Sequence, residues 1–166
     1  YAVTNLAMEL TVSIHKVVCC AYIGLSTLLA SPLSSQELTE FQQLAREVLK
    51  ELVEINTTHS AAGTLEAAEN VAQRLINAGF SEEDVTVTEV APGEGNVVAR
   101  LRGRDTGRKP ILLLAHIDVV EADPADWTLP PFEFIEQDGT FYGRGVADDK
   151  DEAAIYTAIL IKMRQE

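Results

Sequence analysis

The chain has 166 residues, a length typical of a single domain, and its 46% hydrophobic and 23% charged residues can form a buried core. The formal net charge is −13. This charge argues against a nucleic-acid partner, because binding to phosphates requires a basic face. It fits both a solvated acidic surface and carboxylates gathered around divalent cations. The two cysteines, Cys19 and Cys20, are adjacent and leave the redox compartment open.

Residues 1–30 have the pattern of a targeting segment. Lys16 precedes an apolar run over residues 17–30, and Ser31-Pro32 follows at a suitable cleavage position. The run is shorter than the roughly 20 apolar residues of a transmembrane helix. Met8 would serve as initiator, with residues 1–7 upstream. We therefore expect a signal peptide, a secreted or periplasmic protein, and no stable membrane association after cleavage. An uncleaved membrane anchor is the alternative.

Two helices are predicted next along the chain. Residues 34–37 have the form of a capping box, and apolar residues follow at helical spacing as far as Ile55. Polar residues 57–60 and Gly63 end this helix. A second helix is predicted from about Thr64, with Gly79 as its C-cap.

The strands follow these helices. Residues 85–88 alternate in polarity, residues 92–95 form a turn, and residues 96–102 are a second predicted strand. Residues 111–115 are continuously apolar, which is typical of a central strand buried on both faces. A hairpin over residues 132–142 and a helix from about residue 149 to 164 complete the order. We expect an α/β domain with a mixed, largely parallel sheet and helices on both faces.

The first candidate functional residues follow the predicted buried strand. Ligand sites in open α/β sheets form beyond the carboxyl ends of strands. His116 and Asp118 are two residues apart, so they share one face if the chain is extended there. This arrangement suits a metal-bound imidazole whose second ring nitrogen is held by a carboxylate. Alone, the motif is a weak signal.

A second group of candidates lies further along the chain. Asp148, Asp149 and Asp151 fall within four residues and repel one another unless a cation or the solvent compensates their charge. Gly143 and Gly145 precede them and allow backbone geometry that other residues resist. Ordinary N-capping of the following helix by Asp148 or Asp149 is the alternative.

Together, the two groups and the residues around them resemble one family. It is the co-catalytic zinc family that includes glutamate carboxypeptidase, aminoacylase, dipeptidases and succinyl-diaminopimelate desuccinylase. The similarity runs from about residue 37 to the end of the chain. The residues that carry it are 55–58, Gly63, Ala68, Leu75, Gly79, Phe80, 113–120, Trp127, Pro131, Phe132, Asp138, Gly139 and 142–150.

The resemblance implies a role for three of these residues. His116 would be a zinc ligand, Asp118 would orient it as part of the catalytic site, and Asp148 would bridge two zinc ions. The peptide bond between Asp148 and Asp149 would be cis. The implied cofactor is two zinc ions, for which cobalt or manganese could substitute. Full-length members of the family are often homodimers.

The implied reaction is hydrolysis of a peptide or N-acyl amide bond in a peptide or N-acyl amino acid substrate. Metal-activated water would be delivered to the carbonyl by a glutamate base. In the family, that glutamate, the remaining ligands and a lid or dimerisation domain come after the position of Glu166. Residues 31–166 would then be the N-terminal part of the catalytic domain, and this part alone is expected to bind zinc weakly and hydrolyse nothing.

Two other functions are weighed against the hydrolase. A non-catalytic truncated or pseudoenzyme domain of the same fold is the main alternative. A phosphoacceptor signalling domain fits less well. It needs an acidic pair before Asp118, whereas the clustered acids of this chain come after Asp118.

Four further residues carry smaller expectations. Asp151 stands where relatives commonly have glycine, and either alters the helix start or adds an N-terminal acid. Trp127 is expected to pack the connecting loop, with a substrate-facing role as the alternative. Arg144 is expected to pair with a nearby acid, and His59 to be a surface residue.

Overall fold

The structure is a computed structural model that describes residues 37–61, 63–105 and 107–166. The predicted signal peptide over residues 1–30 lies outside these residues. Leu38–Glu166 form one compact unit. In the part of the chain that is described, no helix combines the length and apolarity needed to cross a membrane.

Helix α1 spans Glu40–Glu54 and begins at a capping box. Thr39 is the N-cap: its hydroxyl accepts from the Gln42 backbone, and the Gln42 side chain accepts from the Thr39 backbone. This box lies five residues after the one predicted at residues 34–37, of which residues 34–36 lie outside the described residues. That face buries Val48, Leu49, Leu52 and Val53, and it packs against the last helix.

Helix α2 spans Leu65–Asn77 and follows the predicted boundaries closely. Gly79 adopts a positive φ of 96° after the helix, as expected of a C-cap glycine. The helix packs against an antiparallel hairpin of strands β1 (Val85–Ala91) and β2 (Glu94–Ala99). Alanines on its inner face, Ala67, Ala68 and Ala72, permit this close packing.

Gly95 brings strand β2 into contact with the start of α2. A Cβ atom at this position would lie 2.7 Å from the Leu65 Cα atom and 2.8 Å from its Cδ1 atom. We expect Gly95→Ala to lower the free energy of unfolding by about 1–3 kcal/mol, because the backbone must move to admit the methyl group. Urea denaturation would measure it. Gly103→Ala is the control, since the nearest atom to its Cβ would be 4.0 Å away. Equal stability of both variants would contradict this packing.

The largest difference from the predicted fold concerns residues 111–115. These residues form no strand in the structure, and Ile111 is 89% exposed, Leu112 76% and Leu114 72%. The strands of the described residues form two antiparallel pairs, β1–β2 and β3–β4, and no parallel pair. A strand buried on both faces needs neighbouring strands and covering layers, and the described residues supply neither to this segment. The mixture of helices and strands agrees with the α/β class.

The C-terminal part consists of a short hairpin and a long helix. Strands β3 (Ile135–Gln137) and β4 (Thr140–Tyr142) pair antiparallel around the predicted turn at Asp138 and Gly139. Helix α3 spans Lys150–Gln165 and packs against α1. Its buried face repeats at helical spacing and is made of Lys150, Ala153, Ala154, Thr157, Ala158 and Ile161.

Candidate active site

The segment that carries His116 is extended and alternates between the interior and solvent. Val119 is buried and Ile117 is partly buried against the core, whereas His116 and Asp118 are exposed. The Nδ1 atom of His116 lies 3.2 Å from the Asp118 backbone oxygen and 3.3 Å from its Oδ1 atom. The expected placement of the two side chains on one face is therefore confirmed, although no strand is formed there.

The loop before α3 brings Asp148 to the same place. The His116 Nε2 and Asp148 Oδ1 atoms lie 3.1 Å apart, although the residues are 32 positions apart in the chain. The backbone N–H of His116 also donates to Asp149 Oδ2 at 3.1 Å. The peptide bond between Asp148 and Asp149 is cis, as the resemblance implies. Two sequence-distant segments thus meet at one cluster of ring nitrogen and carboxylate atoms.

Asp149 is the N-cap of α3 by position, but its side chain does not cap the helix. The carboxylate accepts from the His116 backbone instead. The alternative reading of the acidic group as ordinary helix capping is therefore not supported for this residue.

Gly145 makes the meeting of the two segments possible. It adopts φ 88°, and a Cβ atom there would lie 2.8 Å from Val119 Cγ1 and 3.0 Å from Lys150 Cδ. A side chain would push the loop away from the His116 segment. Gly143 also has a positive φ, of 153°, and faces Val53. The expectation that both glycines serve backbone geometry is confirmed.

The pKa of His116 is raised above its ordinary value. Burial alone would lower this pKa, but hydrogen bonds to Asp118 and Asp148 and the charges of both carboxylates outweigh burial. A raised pKa means that the carboxylates stabilise the folded chain while the ring is protonated, and that this contribution is lost as the pH rises through the raised pKa. Metal binding requires the neutral ring, so protons and metal compete for His116.

Asp148→Asn is expected to lower the pKa of His116, because it removes one of the two carboxylates that favour the imidazolium. Titration of the imidazole protons by NMR in metal-free buffer would measure the change. Asp138→Asn, in the turn between β3 and β4, is the control and should leave the pKa of His116 unchanged. A pKa that does not respond to Asp148→Asn would show that the two side chains are apart in solution.

The donor atoms fit two ligands of one zinc ion. Zinc–nitrogen and zinc–oxygen bonds of about 2.0–2.2 Å in tetrahedral geometry put two donors about 3.3 Å apart, close to the 3.1 Å between His116 Nε2 and Asp148 Oδ1. Asp118 lies against Nδ1 of the ring, and Nε2 faces Asp148. Within the described residues, no group of three or more histidine, cysteine or acidic side chains is placed to hold a metal ion. His116 and Asp148 therefore supply two ligands, whereas a catalytic zinc has three protein ligands.

The burial of Lys150 beside the site is a feature that the sequence interpretation missed. The lysine is fully buried, and its Nζ donates to the backbone oxygens of Leu52 at 2.7 Å and Ile55 at 2.9 Å. Burial lowers the pKa of Lys150 to about 8, partly opposed by the charge of Asp118. A lysine after two aspartates indicates a solvated charge. In the sequence, only the helical spacing between Lys150 and the inner-face residues Ala153, Ala154 and Thr157 indicates that the lysine is buried.

A cavity of about 370 Å³ opens beside His116 and Asp118. Its other walls come from the loop after α1 and from the β1–β2 hairpin. The lining residues include both threonines and aliphatic residues: Thr57, Thr64, Val90, Val97, Ile117 and Val119. His59 and Glu94 also line it, with His59 Nδ1 3.4 Å from Glu94 Oε1. His59 is exposed, as expected.

The remaining expectations have mixed outcomes. Arg144 does not pair with an acid among the described residues. Its guanidinium lies 4.8 Å from the centre of the Trp127 ring, and its Nε has no hydrogen-bond partner within the described chain. Stacking explains the difference, because an aromatic face attracts a cation without a carboxylate. Trp127 contacts Arg144 in this way, and its packing of the connecting loop against the domain stays a prediction. Asp151 lies in the first turn of α3 and adds an acid there.

Residues 112–166 match the model of peptidase family M20/M25/M40. This segment contains His116, Asp118 and Asp148 and includes the whole of α3. Together with the relatives described next, the match confirms the resemblance drawn from the motifs to this family of metallopeptidases and amidohydrolases. Enzymes of the family typically depend on two metal ions.

The relatives include enzymes named for acylated amino acids. The chain is 32% identical over 131 residues to the N-fatty-acyl-amino acid synthase/hydrolase PM20D1 of Homo sapiens, covering 74% of this chain and 25% of the relative. It is 52% identical over 52 residues to the protein of the same name from Xenopus tropicalis, covering 31% and 10%. It is 40% identical over 89 residues to the succinyl-diaminopimelate desuccinylase of Halorhodospira halophila, covering 53% and 22%. The chain thus spans a quarter or less of the length of these relatives.

Proposed function

We propose that this chain supplies part of the metal centre of a hydrolase that cleaves N-acyl amide or peptide bonds. The observation that carries the proposal is the convergence of His116 Nε2 and Asp148 Oδ1 at 3.1 Å, with Asp118 against the other ring nitrogen. The side chains of His116 and Asp148 are both exposed, and His116 also lines the cavity. A purely structural ion pair would gain little from such exposure.

Among amide substrates, we favour N-acyl amino acids. The relatives named above are called an N-fatty-acyl-amino acid synthase/hydrolase and a succinyl-diaminopimelate desuccinylase, so both names describe an acyl group on an amino acid. The aliphatic part of the cavity wall, from Val90, Val97 and Ile117, suits the acyl portion of such a substrate. Peptide cleavage by an exopeptidase is the alternative within the same chemistry.

The chain's own residues would have distinct tasks. His116 and Asp148 would hold metal, and Asp118 would keep the Nδ1 proton of His116 in place so that Nε2 stays available. Asp149 would fix the His116 backbone through its N–H. Two zinc ions, when bound, would polarise the amide carbonyl and lower the pKa of water; cobalt or manganese could substitute.

Other parts of the proposal concern the longer protein. We propose that the general base and further metal ligands come from sequence that the relatives carry beyond the matched region. The exposed aliphatic run at residues 111–114 supports a larger, mostly parallel sheet that would cover it. Export through a signal peptide and dimerisation are also proposed, on the N-terminal apolar run and the family resemblance respectively.

The test is hydrolysis by the product of the full reading frame that encodes this chain. Fatty-acyl and succinyl amino acids would be compared with dipeptides, with and without a chelator. We expect chelator-sensitive cleavage of N-acyl amino acids that is restored by zinc and lost in His116→Ala. Cleavage that the chelator does not affect would overturn the proposal. A frame that stops at Glu166 and a product that cleaves neither class would favour the non-catalytic domain.

A further inference from the structure

The segment that follows helix α1 contacts both segments of the candidate metal site. On the His116 side, the Thr57 hydroxyl donates to the Ile117 backbone oxygen at 2.7 Å. The Val119 backbone N–H donates to the Thr57 backbone oxygen at 3.3 Å. Thr57 is 1% exposed, so water does not compete for these hydrogen bonds. The two bonds hold the segment on either side of Asp118.

The same segment is also bonded to the Asp148 side of the site. Lys150 Nζ donates to the backbone oxygens of Leu52 and Ile55, the last of which is two residues before Thr57. Lys150 follows Asp148 and Asp149 directly at the start of α3. Its fully buried side chain therefore connects the end of α1 with the loop that carries the carboxylates.

His116 and Asp148 need such support because their own side chains are exposed. The side chain of Asp148 is 88% exposed and that of His116 is 52% exposed, so little packing holds either one. Their relative position must come from the backbone beneath them. Metal ligands require placement within about 0.5 Å, which depends on surrounding hydrogen bonds.

We propose that residues 55–57 set the spacing between His116 and Asp148, with Thr57 and Lys150 as positioning residues. The inference rests on the proposed function, since it assigns these residues to a metal centre. Thr57 holds the first segment, Lys150 holds the second, and the short chain between Ile55 and Thr57 joins the two. None of these residues would be a metal ligand in this arrangement.

Thr57 offers the sharper test because its shape can be kept while its hydroxyl is removed. In Thr57→Val the Ile117 oxygen loses its donor, whereas Thr57→Ser keeps it. Thr58→Val is a matched control: Thr58 is also 1% exposed, but its hydroxyl donates to the side chain of Asn56 and does not reach the site. Any effect of losing a buried threonine hydroxyl as such is present in both valine variants.

The first readout is the Zn²⁺ affinity of the product of the full reading frame, measured by calorimetry, with the absorption spectrum of bound Co²⁺ as a second signature. We expect affinity about tenfold weaker in Thr57→Val, near the low end of the loss caused by outer-shell partners. Thr57→Ser and Thr58→Val should bind as the unchanged chain does. Equal affinity of Thr57→Val and Thr58→Val would overturn the inference, whatever the thermal stability of either variant.

The second readout separates this inference from the proposed function. In metal-free protein, Thr57→Val is expected to shift the backbone amide NMR signals of Asp148 and Asp149, and Thr58→Val is not. Unshifted signals in Thr57→Val would overturn the positioning role. If the unchanged chain binds Zn²⁺ no better than His116→Ala, the proposed metal site fails, and the amide signals alone then decide whether residues 55–57 couple the two segments.

Discussion

Replacing His116 by alanine is expected to weaken Zn²⁺ binding by about 100-fold or more. The loss of an outer-shell partner costs about 10- to 100-fold in metal affinity, and the loss of a ligand costs at least as much. In the structure, Nε2 of this residue is the only ring nitrogen within 3.1 Å of Asp148 among the described residues. Calorimetric titration of the product of the full reading frame with Zn²⁺ at constant pH would measure the change.

His59→Ala is the matched control for this prediction. His59 is an exposed imidazole on the same cavity, but its ring contacts Glu94 and not Asp148. We expect this variant to bind Zn²⁺ as the unchanged chain does. Equal losses in the two variants would mean that zinc binds surface histidines without selection, and the candidate site would then be wrong.

The pH dependence of Zn²⁺ binding provides a second check on His116. Because its pKa is raised, protons compete with the metal at a higher pH than they would for an isolated imidazole. Affinity should therefore fall as the pH drops through the raised pKa. Asp148→Asn lowers that pKa but also removes a ligand, so the pH at which binding falls should move down while the maximal affinity also decreases.

The second large effect is expected on folding stability, from Lys150→Ala. This change leaves a cavity where the buried aliphatic stem was, and it removes the donor to the Leu52 and Ile55 oxygens. A large-to-small change in a core costs about 2–5 kcal/mol, and each buried acceptor without a partner costs about 1–3 kcal/mol. We expect the free energy of unfolding to fall by about 3–5 kcal/mol, measured by urea denaturation.

Lys150→Met separates the stem from the amine. The methionine keeps most of the apolar volume, so its cost should come from the two acceptors alone. Removing the desolvated charge offsets part of that cost, and we expect a net loss of about 1–3 kcal/mol at pH 7. A methionine variant as unstable as the alanine variant would show that the amine, and not the stem, dominates. A stability equal to that of the unchanged chain would contradict the two hydrogen bonds.

The titration of Lys150 gives a pH signature for the same residue. Its pKa falls from 10.5 to about 8 on folding, so the unfolded chain binds the proton more tightly than the folded chain does. Folding stability gained from this group is fully present above about pH 10.5 and is lost as the pH falls through about 8. The stability advantage of the unchanged chain over Lys150→Met should therefore increase as the pH rises from about 8 to about 10.5.

The sequence by itself determined the helices and the candidate ligands. The apolar spacing of α1, the boundaries of α2 at Thr64 and Gly79, and the turn at Asp138 and Gly139 are local features, and local propensity decides them. The pairing of His116 with Asp148 came from a resemblance, since no local rule relates residues 32 positions apart. The resemblance anticipated their convergence and the cis bond after Asp148.

Tertiary structure alone decided the environment of the residues around that pair. The aliphatic run at 111–114 satisfies every local condition for a buried strand, yet burial depends on neighbours that the described residues do not supply. Lys150 is buried because helix α3 packs it against the end of α1. The Asp149 side chain accepts from the His116 backbone N–H and does not cap its own helix. Hydrogen-bond partners and burial belong to the assembled chain, because they depend on residues that sequence spacing leaves far apart.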